Sequence, residues 1–235
     1  MNTNKTNSRI VGILFILGFL GALTASLTRP IIYTPNFLTQ IAANENKILL
    51  GVFFLTIMAL VCAGIGISLY PILKKYNVGL AIGAVGFRLI EGVLEIISAV
   101  FLILLLSLSQ EFVKAGAQDS SYFNTLGLLL ISGKDWVMNV PALLSWCIGA
   151  LMYYAIFYRT KLVPRWLAGW GILGASLCIV STILVLFHII SPFGSIQVFM
   201  NVPIALQELV LAAWLIVKGF NSSEITSGST KNISI

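Results

Sequence analysis

The chain has 235 residues, of which 58% are hydrophobic and only 9% are charged. Soluble domains carry about 45–50% apolar and about 25% charged residues, so this composition excludes a soluble enzyme, a disordered chain and a nucleic-acid-binding domain. The net charge of +6 does not indicate a nucleic-acid partner, because Lys and Arg in membrane proteins concentrate in cytoplasmic loops. The sequence predicts an all-α polytopic membrane protein whose partner is the lipid bilayer.

Six apolar stretches are long enough to cross a bilayer, which takes about 20 helical residues. Backbone polar groups cannot stay unpaired in lipid, so each stretch is predicted to be helical. They form one predicted six-helix domain over residues 1–220, with spans at about 10–27, 48–70, 78–106, 136–158, 167–190 and 196–217. Residues 221–235 are rich in Ser, Thr and Asn and are predicted to be a disordered cytoplasmic tail.

Two connections between the spans also carry helical signals. Thr34 has the character of a helix N-cap, and Phe37, Leu38 and Ile41 then share one helical face. This pattern predicts a short helix that lies on the outer membrane surface. The stretch 120–131 has a similar apolar pattern and is predicted to do the same.

The basic residues predict the orientation of the bundle. Nine of the 14 Lys and Arg residues fall on one side of the spans, four fall on the other, and Arg88 lies inside a span. The nine are Lys5, Arg9, Lys74, Lys75, Arg159, Lys161, Arg165, Lys218 and Lys231, and the four are Arg29, Lys47, Lys114 and Lys134. Because the more basic side faces the cytoplasm, both termini are predicted to be cytoplasmic.

Four charged residues lie inside the predicted spans. Arg88, Glu91 and Glu95 occupy an arc of about 60° on one face of the third span, and Glu208 lies in the sixth. Each such charge opposes insertion by about 2.5–3.5 kcal/mol. Arg88 can neutralise either Glu208 across a helix interface or Glu91 one turn along the same helix. We expect the pair with Glu208. Two glutamates are then left to bind a proton, water or a cation.

Further polar residues of the spans are candidates for the lining of a cavity beside these charges: Asp135, Asn139, Asn201 and Gln207. The three cysteines are widely spaced and the single histidine has no partner motif, so no metal site is predicted. No phosphate-binding loop or nucleophile motif is present. We therefore predict no cofactor and no catalytic residue, and the sequence leans away from an enzyme.

The buried charges leave three functions open. In the first, the chain is a proton- or cation-linked transporter-like protein or a ligand-binding protein, with Arg88, Glu91, Glu95 and Glu208 as its site. In the second, it is a structural or regulatory membrane protein whose polar cluster only packs helices. In the third, it is an intramembrane lipid-modifying enzyme that uses a glutamate as general base.

Several motifs also resemble one bacterial family. They are Phe87-Arg88-Leu89-Ile90-Glu91, Leu162-Val163-Pro164-Arg165-Trp166-Leu167, Gln207-Glu208-Leu209 and Ala213-Trp214-Leu215-Ile216-Val217-Lys218-Gly219-Phe220. The chain resembles, over roughly residues 8–220, the integral membrane proteins catalogued as domain of unknown function 4386. The resemblance implies a multi-pass protein of the bacterial cytoplasmic (inner) membrane with no established activity. Glu95 lies outside the shared motifs.

Overall fold

The computed structural model describes residues 3–116 and 120–221, and these ranges are helical with no β-strand. Six helical segments among them are long and apolar enough to cross a membrane, as predicted. The helices are α1 (Thr3–Ala25), α2 (Arg29–Ile32), α3 (Phe37–Ala43), α4 (Glu45–Leu73), α5 (Val78–Lys114), α6 (Ser120–Val137), α7 (Leu143–Thr160), α8 (Arg165–Leu186) and α9 (Ser195–Val217). The tail predicted to be disordered lies outside the described residues from 222 onward.

The long helices form a closed ring in which each helix packs against two neighbours. The order around the ring is α1, α4, α5, α7, α8 and α9, and α9 packs against α1 again. Glycines allow the closest approaches. Gly92 of α5 is buried, and a Cβ atom at this position would lie 2.7 Å from the carbonyl oxygen of Ala59 on α4. Small residues at such crossings are how membrane helices gain packing contacts without a hydrophobic driving force between them.

One end of the ring is closed by aromatic side chains. Tyr153, Tyr154 and Phe157 of α7 are fully buried there. The ring of Phe220, which follows α9, lies 5.6 Å from that of Phe157. The next residue, Asn221, donates its backbone N–H to the carbonyl of Leu162 at 2.9 Å. These contacts fasten the chain after α9 to the turn between α7 and α8.

At the opposite end, α5 is longer than the predicted span. It runs to Lys114 rather than to 106, and its 37 residues extend about 55 Å at 1.5 Å per residue. That length exceeds the bilayer core of about 30 Å. The extension packs against α3 and α6, and the rings of Phe112 and Phe123 lie 5.5 Å apart.

The extension of α5 explains two differences from the sequence-based expectations. The short helix α3 exists, but it begins at Phe37 after Asn36, so the prediction that Thr34 is its N-cap is wrong. Its apolar face, with Phe37, Leu38 and Ile41, is buried in the protein core. It therefore covers α5 and does not lie with this face on the membrane surface. The stretch 120–131 is likewise part of α6 and not a separate surface helix.

A π-helical turn, Met138–Ala142, joins α6 to α7 without a break. The continuous segment Ser121–Thr160 has 40 residues, whereas the sequence predicted a span that starts near 136. Pro141 lies inside the turn and has no N–H to donate. Such turns insert one extra residue into a helix and are frequent at functional sites.

Replacement of Gly92 by alanine tests the close crossing of α4 and α5. The added methyl group would meet the Ala59 carbonyl at 2.7 Å, and relief of such overpacking costs about 1–3 kcal/mol. Gly86→Ala on the same helix is the control, because no atom lies within 4 Å of a Cβ there. In thermal unfolding in detergent, we expect Gly92→Ala to melt at a lower temperature than Gly86→Ala. Equal melting temperatures would contradict the crossing.

Candidate functional site

The polar face of α5 lies inside the ring. Arg88, Glu91 and Glu95 are 2%, 6% and 4% exposed, respectively. The Arg88 Nη1 atom donates to Glu91 Oε2 at 2.9 Å and to Glu91 Oε1 at 3.2 Å. Of the two partners that the sequence allows for Arg88, the structure therefore pairs it with Glu91 and not, as we expected, with Glu208. The Arg88 Nε–H group has no hydrogen-bond partner among the described residues.

A cysteine thiol from α4 joins the two glutamates. The Cys62 thiol is directed at Glu91 Oε1 at 3.3 Å and at the carboxylate oxygens of Glu95 at 3.7 and 3.8 Å. One donor atom from each of these residues lies within 4.8 Å of the others. Thiolate and carboxylate groups are ligands for divalent metals, so these three side chains could surround one cation. No sequence pattern indicated that Cys62 belongs to the site, because nothing within α4 relates it to the glutamates of α5.

Glu208 of α9 approaches from the opposite side of the ring. Its Oε1 atom accepts a hydrogen bond from Trp146 Nε1 at 3.0 Å and one from the Tyr153 hydroxyl at 3.4 Å. Both donors are on α7, at a helical spacing that places them on one face. Glu208 thus connects α9 to α7, and the expected contact of α5 with α9 through an Arg88–Glu208 ion pair does not form.

The four charged residues line one cavity of about 280 Å³. It lies between α1, α4, α5, α7 and α9, and most of its wall is apolar. The apolar lining includes Phe15, Phe19, Met58, Met138 and Leu143. Among the described residues that line it, three carboxylates accompany one guanidinium. The cavity is therefore largely apolar with an excess of acidic groups, and it can bind a proton or a positively charged ligand.

The structure places the other four candidate residues outside this cavity. Gln207 accepts from the Tyr154 hydroxyl at 2.5 Å and donates to the Leu167 carbonyl at 3.1 Å, which joins α7, α8 and α9. Asn201 accepts from Ser181 of α8 at 2.8 Å. Each of these two amides is thus occupied in a helix contact.

Asp135 and Asn139 lie near the end of the ring where α2 and α6 meet. Asp135 accepts a hydrogen bond from Tyr33 and pairs with Lys134 at 2.8 Å. Asn139 donates to the Asp135 carbonyl at 2.8 Å. Both residues line a second pocket together with His188. Neither lines the central cavity that contains Glu95.

A family model described as "Domain of unknown function (DUF4386)" matches residues 10–219. The chain belongs to this family. The resemblance drawn from the motifs is thus confirmed, and the match includes all four charged residues of the cavity. No curated protein and no solved structure matches the chain.

The Arg88–Glu91 pair can be tested by removal of one partner or of both. Arg88→Leu leaves Glu91 buried without its guanidinium, and loss of one partner of a buried pair costs about 3–5 kcal/mol. The double variant Arg88→Leu with Glu91→Leu removes both charges and should recover most of that loss. Equilibrium unfolding in detergent micelles measures the difference. If the double variant is as unstable as Arg88→Leu plus Glu91→Leu added together, the two residues are not coupled.

Proposed function

We propose that this chain is a multi-pass protein of the bacterial cytoplasmic membrane whose central cavity binds a small organic cation in competition with protons. The observation that carries the proposal is the excess of acidic groups around an apolar cavity, which is lined by three carboxylates and one guanidinium. A cavity of about 280 Å³ lies near the lower end of ligand sites, which span about 300–1,000 Å³. The ligand is therefore small, with an apolar body and one positive charge.

Charge balance supports this choice of ligand. The Arg88–Glu91 pair is neutral as a unit, and its members belong to the same helix turn. Glu95 and Glu208 form no ion pair with a basic side chain of the described residues. A buried carboxylate without a countercharge binds a proton or meets a cation, because its desolvation is otherwise uncompensated. Two such carboxylates, one on α5 and one on α9, provide negative charges for a cationic ligand on different sides of the central cavity.

The Glu208 carboxylate is held in place by two donors of α7. Trp146 and Tyr153 both direct a donor at the same carboxylate oxygen, which fixes this carboxylate at one wall of the cavity. The rings of Phe15, Phe19 and Trp146 line the same cavity. Aromatic faces attract organic cations by about 0.5–2 kcal/mol each. An alkylamine would find both an anionic partner and aromatic walls.

The structural alternative assigns the polar cluster to helix packing. An ion pair between residues 88 and 91 lies within α5, so it cannot join two helices as an interhelical pair would. The contacts of Glu208 with α7 and of Cys62 with the glutamates of α5 are the parts of the cluster that fit this alternative. A packing role for these contacts does not explain the neighbouring cavity or its excess of carboxylates over guanidinium groups, so we favour ligand binding.

A thermal-shift series with purified protein tests the ligand class. We expect hydrophobic primary and quaternary amines to raise the melting temperature, and neutral compounds of the same shape to leave it unchanged. Glu208→Gln and Glu95→Gln should each weaken amine binding at least tenfold. Glu111→Gln is the matched control, because that carboxylate is exposed on the surface in an ion pair with Lys114. Neutral isosteres that bind as well as the amines would refute the proposal.

Competition with protons gives a second, independent readout. If the amine displaces a proton from a carboxylate, its apparent affinity rises with pH until the site is fully deprotonated, and binding releases protons into a weakly buffered solution. Isothermal titration in buffers of different ionisation enthalpy measures this release. We expect release from the wild type and a smaller release from Glu208→Gln. Amine binding that is independent of pH and releases no protons would contradict the competition between the amine and protons.

The same proposal includes an orientation with both termini in the cytoplasm. It rests on the excess of Lys and Arg at the end that carries the N-terminus and the turns after α4 and α7. Lys74 follows α4 and Lys114 ends α5, so these exposed residues lie at opposite ends of the bundle. The three native cysteines are buried. In intact bacterial cells, a membrane-impermeant maleimide should label Lys114→Cys, and it should label Lys74→Cys only after lysis. The reverse pattern would invert the topology.

A further inference from the structure

We infer that the end of the bundle where α7, α8 and α9 meet contains a binding site for a phosphate group. A pocket of about 550 Å³ lies there. Lys161, Arg165 and Lys218 contribute to its lining, and no acidic side chain of the described residues does. This pocket is distinct from the central cavity and shares no residue with it. The inference does not depend on the function proposed above.

Among the described residues, the acidic groups lie away from this pocket. The described Asp and Glu residues are Glu45, Glu91, Glu95, Glu111, Asp135 and Glu208. Three of these line the central cavity, and the other three lie toward the opposite end of the ring. The described part of the basic end thus offers cations without internal countercharges. An anion can therefore bind there without competition from a described carboxylate.

The backbone gives the pocket a defined shape. Lys161 ends α7 with a left-handed φ of 56°, and Gly219 follows α9 with a φ of 77°. The hydrogen bond from Asn221 to Leu162 joins these two turns, and the buried ring of Phe220 anchors the second one. The three cationic side chains therefore project from fastened segments and not from free loops.

The chemistry of the lining matches a phosphate better than a carboxylate or a halide. Arg presents a planar fork that binds two phosphate oxygens, and Lys adds point charges around it. The first turn of α8 begins at Arg165, so its free backbone N–H groups add positive potential at the same place. The Arg165 guanidinium also lies 5.7 Å from the centre of the Tyr158 ring. Trp214 provides an apolar wall at the depth where lipid glycerol groups lie.

Two sources can supply the phosphate. An anionic phospholipid would place its headgroup among the three cations and its acyl chains along the apolar helices, as basic pockets between membrane helices do. A soluble phosphate ester would enter from the aqueous side instead. The experiment below distinguishes the two.

The test uses the full-length protein in nanodiscs of phosphatidylcholine, with or without phosphatidylglycerol, and follows thermal unfolding. We expect phosphatidylglycerol to raise the melting temperature by roughly 2–4 °C. The variant Lys161→Gln/Arg165→Gln/Lys218→Gln should lose this rise. The control Lys74→Gln/Lys75→Gln removes two basic residues at the same end that do not line the pocket, and it should keep the rise. A separate arm adds inorganic phosphate to phosphatidylcholine nanodiscs at constant ionic strength.

Each outcome decides the inference. A rise with phosphatidylglycerol that only the triple variant loses supports a lipid headgroup, and a rise with inorganic phosphate that only it loses supports a soluble source. If neither addition stabilises the wild type, if the triple variant keeps the rise, or if the control loses the rise as fully as the triple variant, the inference fails. Should the triple variant not fold, native mass spectrometry of the wild type and Lys218→Gln replaces it. Equal retention of phosphatidylglycerol and phosphatidylcholine by the wild type would then overturn the site.

Discussion

The burial of an arginine in the centre of an apolar bundle constrains the rest of the structure. Arg88 is 2% exposed, about ten residues from the start of its helix, and too deep to reach the lipid headgroups easily. Its countercharge comes from Glu91 on the same helix. Because the charge of Arg88 is balanced within α5, the neighbouring helices need not supply a countercharge for it. The space that the helices leave in front of this pair is the central cavity.

This arrangement also distinguishes the roles of the glutamates. Glu91 binds the guanidinium and faces the Cys62 thiol, Glu95 faces the thiol alone, and Glu208 contacts an indole and a phenol. Three chemically equivalent side chains thus have three different environments. The phosphate-binding pocket has the opposite composition, with cations and no described acid. The protein therefore keeps its acidic surplus inside the ring and its basic surplus at one end.

The sequence predicted the features that depend on local pattern. Each apolar run formed a helix because lipid leaves the backbone no alternative, and the 100° rotation per residue placed Arg88, Glu91 and Glu95 on one face. The end of α5 was not predictable in this way, since Ser107 to Lys114 is polar in part and is held by packing against α3 and α6. The places of Cys62 and Trp146 in the site were also beyond prediction. They depend on which helices are neighbours in the ring, and no sequence pattern within α4 or α7 encodes that order. Gln207 was predicted to line the cavity because it is polar and adjacent to Glu208. It instead bonds to the Leu167 carbonyl of α8, since the neighbouring positions of a helix point in different directions.

The π-helical turn at Met138–Ala142 has a consequence for how the two halves of its long segment are phased. One additional residue in a turn rotates everything beyond it by about 100° relative to an uninterrupted α-helix. The face of α6 that covers the extension of α5 is therefore decoupled from the face of α7 that presents Trp146 and Tyr153 to Glu208. A single-residue deletion here would bring the two faces into one register. One half of the segment would then turn away from its partners, although every side chain outside the turn would be unchanged.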